Sequence, residues 1–168
     1  VWDLSVGKEE ILTCNFLSDF VIKDDIIYFI GSTGTAGKPY ENVTLYSVNI
    51  VNGKEKWHFS ISNIDIEELT FSSCPVIYGN YIYIFANFFK EQKITNSKNC
   101  DGYLYCIDKE NGIKKWELLV NKCIDKNRII SSINNMGLTR NNIYLHVTST
   151  STESNNKFIH SLLIVDTI

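Results

Sequence analysis

Apolar and polar residues alternate in blocks along this chain, and the blocks recur. Phe20-Val21-Ile22, then Lys23-Asp24-Asp25, then Ile26 to Ile30 form one unit. Pro75 to Tyr78, Gly79-Asn80 and Tyr81 to Ala86 form a second. Met136 to Leu138, Arg140 to Asn142 and Ile143 to Val147 form a weaker third. Short runs rich in β-branched and aromatic residues, parted by turn residues, predict tight β-hairpins. Tyr28, Tyr83 and Tyr144 hold the same place in each unit. Tyr81 to Phe85 is apolar or aromatic at every position, which predicts a strand covered on both faces by stacked sheets.

A second kind of hairpin lies between these units. Leu45 to Trp57, LYSVNIVNGKEKW, returns as Leu104 to Trp116, LYCIDKENGIKKW, shifted by 59 residues at both ends (45 to 104, 57 to 116). Asn52-Gly53 and Asn111-Gly112 supply residues that tolerate the positive φ of a tight turn. Asn49 and Asp108 are placed to bond backbone amides of their own turns. The strand after each turn is polar up to its tryptophan, which predicts an outer strand with one large anchor. Burying that anchor contributes on the order of 2–3 kcal/mol by area.

Leu162 to Asp166, LLIVD, matches Leu104 to Asp108, and Val1 to Ser5, VWDLS, places Trp2 where Trp57 and Trp116 stand. All three tryptophans of the chain thus fall at one repeat position. Counting segments gives one outer strand, two four-strand units and three further strands. The polar stretches Gly31 to Asn42, Asn87 to Asp101 and Thr148 to Asn156 read as surface loops. Alternatively they line a rim that contacts a partner, with the second the better candidate through Phe88 and Phe89, unless these two simply extend the preceding strand.

Four strands per repeat, closed by Asx-x-x-x-Gly-x-x-x-Trp, resembles the repeat of PQQ-type β-propellers. The likeness is carried by Asn49, Gly53 and Trp57, by Asp108, Gly112 and Trp116, by Trp2 and Asp166 at the ends, and by Asp101 to Tyr105, DGYLY. It covers nearly the whole chain. It implies an all-β fold of four-stranded antiparallel blades set radially round a channel, with the tryptophan docked between neighbours. The blade repeats would be approximately 1–49, 50–108 and 109–168 in shifted register, within one segment spanning 1–168. About three blades make a partial ring or open arc. The expectation is therefore a section of a longer chain, whose partners are its remaining blades or another protein.

Net charge is −3, and the basic residues are scattered, so no nucleic-acid partner is expected. No apolar run approaches the ~18 residues of a membrane span. The resemblance implies an extracytoplasmic setting; unpaired thiols lean the other way. The five cysteines (Cys14, Cys74, Cys100, Cys106, Cys123) are odd in number and argue against a disulfide framework. Cys74 and Cys106 read as buried thiols. A Cys100–Cys106 bridge is disfavoured along one extended strand, and no zinc-ligand spacing occurs.

Quinoprotein dehydrogenases of the resembling family bind pyrroloquinoline quinone and calcium beneath a vicinal cysteine pair. This chain has no such pair, and its tryptophans are taken up by the repeat. Asp24-Asp25 and Glu67-Glu68 read as a turn and a solvated loop, since strand neighbours point to opposite faces. His58 reads as exposed. His146 and His160 flank the third polar loop and could face each other across a hairpin as a surface pair. Gly31, Gly34 and Gly37 lack the ending of a phosphate loop. Asn42-Val43-Thr44 is a glycosylation sequon at a loop end.

No catalytic, cofactor-binding or metal residue is nominated. The expected function is a non-catalytic propeller scaffold for protein–protein interaction or ligand sensing. The alternative is part of a PQQ-dependent quinoprotein dehydrogenase with catalytic residues outside this stretch.

Overall fold

A computed structural model of the chain describes residues 15–32, 43–61, 68–71, 74–91, 98–124, 128–151 and 158–166. These form thirteen strand segments and one 3₁₀ turn, Val120–Cys123. The first sheet contains β1 (Asn15–Phe16), β2 (Val21–Lys23), β3 (Ile26–Ser32), β4 (Val43–Asn49) and β5 (Glu55–Ser60). β1 and β2 pair one after the other with β3, so they are two halves of one broken strand. The sheet therefore has four positions, in sequence order.

The second sheet repeats the plan with β6 (Glu68–Phe71), β7 (Val76–Tyr78), β8 (Tyr81–Glu91), β9 (Lys98–Asp108) and β10 (Lys114–Leu119). Here β6 and β7 share the edge of β8. The third sheet has three positions among the described residues: β11 (Arg128–Leu138), β12 (Asn142–Ser151) and β13 (Phe158–Asp166). All pairing is antiparallel. This is the expected all-β, blade-like architecture. Val1–Ser5 and Trp2 lie outside the described residues, as do Glu67 and Cys14.

Local chemistry explains the tight turns. Asp24 and Asp25 have φ of 52° and 60°, the two positive values that a two-residue hairpin loop requires. The longer turns follow the Asx logic. The Asn49 side chain accepts from the amides of Val51 and Asn52 at 2.9 and 3.2 Å, and that of Asp108 from the Glu110 amide at 2.9 Å.

Alternation along the strands then stacks the sheets. Leu45 and Leu104 point toward the following sheet; Tyr105 and Leu163, one position later in the repeat, point toward the preceding one. One core joins sheets one and two through Tyr28, Leu45 and Trp57 against Ile82, Ile84 and Tyr105. Another joins sheets two and three through Tyr83, Phe85 and Leu104 against Ile143, Leu145 and Val147. Ile82 to Phe88 is buried throughout, as a strand covered on both faces must be.

Several expectations change. The predicted loops are shorter, because β8 and β9 pair from Tyr81↔Asp108 out to Glu91↔Lys98, and β12 and β13 from Asn142↔Asp166 to Thr150↔Phe158. A ladder is made of backbone bonds, so polar residues can extend it. Phe88 is a core residue with its ring edge-on to Tyr103, not a rim contact. The weak third segment is part of an eleven-residue strand with two register shifts. Glu68 opens β6 rather than sitting in a loop. Cys74 is only partly buried, whereas Cys100 and Cys106 are buried free thiols on β9. Val43 and Thr44 of the sequon are buried in β4 rather than displayed on a loop.

Candidate functional site

The first and second sheets each carry a cross-strand row on the face turned to the next sheet. In the first, Tyr28, Ser47 and Trp57 stand side by side on β3, β4 and β5. In the second, Tyr83, Cys106 and Trp116 do so on β8, β9 and β10. The small central residue lets the outer rings approach, with centroids 5.9 Å apart in the first row and 6.0 Å in the second. The register slips by one residue just before each tryptophan, at Lys56 and Lys115. Such a bulge re-aims the side chain that follows it. The third row begins with Tyr144 opposite Ile164.

Trp57 shows what the row is for. Its ring is 8% exposed, and its Nε1–H donates to the carbonyl of Lys109 in the second sheet's turn at 3.0 Å. Gly112 of that turn lies directly on the indole: a Cβ there would stand 2.6 Å from Trp57 Cε3. Lys109 Nζ reaches back to Asp24 Oδ2 at 3.4 Å, and Lys56 Nζ lies 3.7 Å from Glu110 Oε2. Asp24 is thus engaged by a cation of the neighbouring sheet.

Burial controls the ionisable groups along the seams. It pushes the Tyr28 phenol up to about 12, the Glu110 carboxylate adding to the effect. It raises Tyr83 and Tyr105 further. Burial likewise pushes Cys100 up to about 12 and Cys106 to about 11. These thiols stay protonated near neutrality and serve as packing groups, since reactivity needs the thiolate. Asp108 goes the other way, held below its ordinary value first by Lys115, 3.1 Å from its Oδ2, and then by the Glu110 amide.

The outer face of the third sheet is different. β13 alternates strictly, and Phe158, Leu162 and Ile164 face outward, with Leu162 64% and Ile164 55% exposed. Their repeat equivalents Leu104 and Cys106 are 0% and 1% exposed beneath the third sheet. His146, two residues after Tyr144, takes the place of Ile30 and Phe85 in the sheets before. It stacks on His160, ring centroids 5.4 Å apart at 27°, with His146 Nε2 3.3 Å from His160 Nδ1. Thr148 Oγ1 lies 3.3 Å from the same Nδ1. The two histidines do face each other as expected, diagonally: His146 is opposite Leu162, and Thr148 opposite His160. This face is therefore part apolar and part imidazole. The sequence displayed the strand but not its exposure, which depends on what a neighbouring sheet covers.

A shallow groove of about 440 Å³ runs between β2 and β7, lined chiefly by Val21, Ile22, Lys23, Cys74 and Val76. His58 is exposed and pairs through Nδ1 with Glu55 Oε1 at 2.7 Å. Among the described residues no three His, Cys, Asp or Glu side chains gather as a metal cluster. No helix among them is long and apolar enough to cross a membrane. The outermost parts of the predicted rim loops, residues 33–42, 92–97 and 152–157, lie outside the described residues.

No family model matches the sequence, and no curated protein does. Solved structures give likenesses in strand arrangement. A europium-containing methanol dehydrogenase aligns over 88% of this chain and 26% of its own, with a TM-score of 0.43 and 10% identity. BamB from Moraxella catarrhalis aligns over 89% of this chain and 52% of its own, with a TM-score of 0.33 and 9% identity. The chain spans about a quarter of the first protein and half of the second. No residue role is carried over from either.

Proposed function

We propose that this chain is a non-catalytic interaction scaffold, and that it meets a protein partner through the outer face of the third sheet. The supporting observation is the exposure of Phe158, Leu162 and Ile164 on a face whose counterparts in the other two sheets are sealed by a neighbour. Large apolar side chains exposed together on one sheet face mark a contact surface. The partner offers a complementary sheet face, either as another protein or as further blades of a longer chain.

The non-catalytic part of the proposal has its own support. Trp57 is committed to the seam by a hydrogen bond, and Trp116 packs on Tyr83. Ligand sensing, the other role within this reading, has the groove beside Lys23 as its seat.

Binding of an apolar fluorescent dye to the 168-residue chain tests the face. The wild type binds dye or self-associates, and Leu162→Lys with Ile164→Lys suppresses both. No dye binding by the wild type, or an unchanged response in the double variant, overturns the assignment. Pyrroloquinoline quinone with calcium tests the other part: dye-linked alcohol oxidation by the full-length protein would replace the scaffold reading with the dehydrogenase one.

A further inference from the structure

We infer that His146 and His160 form a two-imidazole site for a late first-row divalent metal ion such as zinc, nickel or copper. The inference does not rest on the scaffold reading. It starts from repeat positions. Where His146 stands, the first two sheets carry Ile30 and Phe85; where His160 stands, they carry Val43 and Gly102. Seam packing accounts for Ile30, Val43 and Phe85 at those places. It does not account for two imidazoles brought together on the third sheet.

The geometry is that of a shared ligand. His146 Nε2 and His160 Nδ1 are 3.3 Å apart. Two nitrogens on one tetrahedral zinc at ordinary bond lengths stand roughly 3.3 Å apart, and on a square-planar ion roughly 2.8 Å. The two nitrogens face each other at bonding distance; a shared ion would sit off the line between them, so each ring turns slightly to aim its lone pair at it. For both to ligate, the donating ring moves its hydrogen to its other nitrogen; a neutral pair loses no net proton. Imidazole suits zinc, copper and nickel. Water supplies the remaining positions. Both rings project from paired strands, so their spacing is held by the β12–β13 ladder rather than by a loop. The face is open to solvent, which gives an ion access.

The test is done in a His58→Gln, Cys123→Ser background, which removes the other imidazole of the chain and the exposed thiol among the described residues. Calorimetric titration with zinc is expected to show one saturable site. His146→Gln and His160→Gln should each lower its affinity by an order of magnitude or more, and the double variant should lose little beyond either single one. Binding that survives either single substitution overturns the site. Copper(II) paramagnetic resonance on the background protein gives an answer independent of how the variants fold: coupling to two equivalent-class imidazole nitrogens supports the pair. Coupling to one nitrogen or none refutes it.

Discussion

Trp57 and Trp116 hold the same repeat position in successive sheets, follow the same one-residue bulge, and pack on the same tyrosine of their own row. Their far sides differ. Trp57 is roofed by the turn of the second sheet, with Gly112 on its ring and Lys109 accepting its N–H. Trp116 is only partly buried, and no such turn roofs it among the described residues. The inner half of the seam is therefore built by a sheet's own side chains, and the outer half by a turn of its neighbour. A buried Trp truncation costs roughly 3–5 kcal/mol, and Trp57→Ala should sit in that range by denaturant melting. Trp116→Ala should cost less, roughly 2–3 kcal/mol, because less area leaves the solvent-free state. Equal losses for the two would show that the turn adds nothing to the wedge.

The two turns sharpen the contrast. Gly53 and Gly112 have φ of 67° and 72°, so both sit where a side chain is disfavoured. Around Gly53 nothing lies within 4 Å of a Cβ; at Gly112 the indole of Trp57 fills that space. Gly53→Ala should cost about 1–2 kcal/mol for the left-handed backbone alone. Gly112→Ala adds overpacking against a buried ring, for a total of about 2–4 kcal/mol. In a Trp57→Ala background the Gly112→Ala penalty should fall to that of Gly53→Ala, the non-additivity expected of touching residues. If the two penalties already match in the wild type, the close approach of turn and ring is not an energetic constraint.

What could be read from the sequence followed the range of the interaction. Asx turns, Asn-Gly pairs and the Tyr and Trp positions are local, so the hairpins β2–β3, β4–β5, β7–β8 and β9–β10 were legible. The segments β1 and β6 and the first half of β11 were not, because a short or register-shifted edge piece carries no turn or repeat signal of its own. The reach of β8 to Glu91 was hidden by polar residues for the same reason. The candidate face was the least legible. LLIVD and LYCID share a strand pattern, yet Leu162 is exposed and Leu104 is not, and that difference belongs to the neighbouring sheet. The histidine pair was visible as a possibility because the two residues flank a polar loop; its diagonal stacking required the register.

The smallest predicted effect separates the turns by charge. Asn49 and Asp108 make equivalent bonds to their turn amides, but only Asp108 titrates, and Lys115 together with the Glu110 amide holds its carboxyl below the ordinary value. A carboxylate with a lowered folded value binds fewer protons than the unfolded chain does between the two values. Stability from this group is then complete above the ordinary carboxylate range and is lost as pH falls below that range through the lowered folded value. Asp108→Asn keeps the Asx turn and removes the titration, so the variant's stability should fall less steeply across that window than the wild type's. Lys115→Met, which removes the main cause of the lowered value, should flatten the same limb while leaving the turn amides bonded. Parallel acid limbs for wild type and both variants would mean that the Lys115–Asp108 contact is too screened by water to matter. The indole of Trp57, and not the Asp108 charge, would then be what sets the two turns apart.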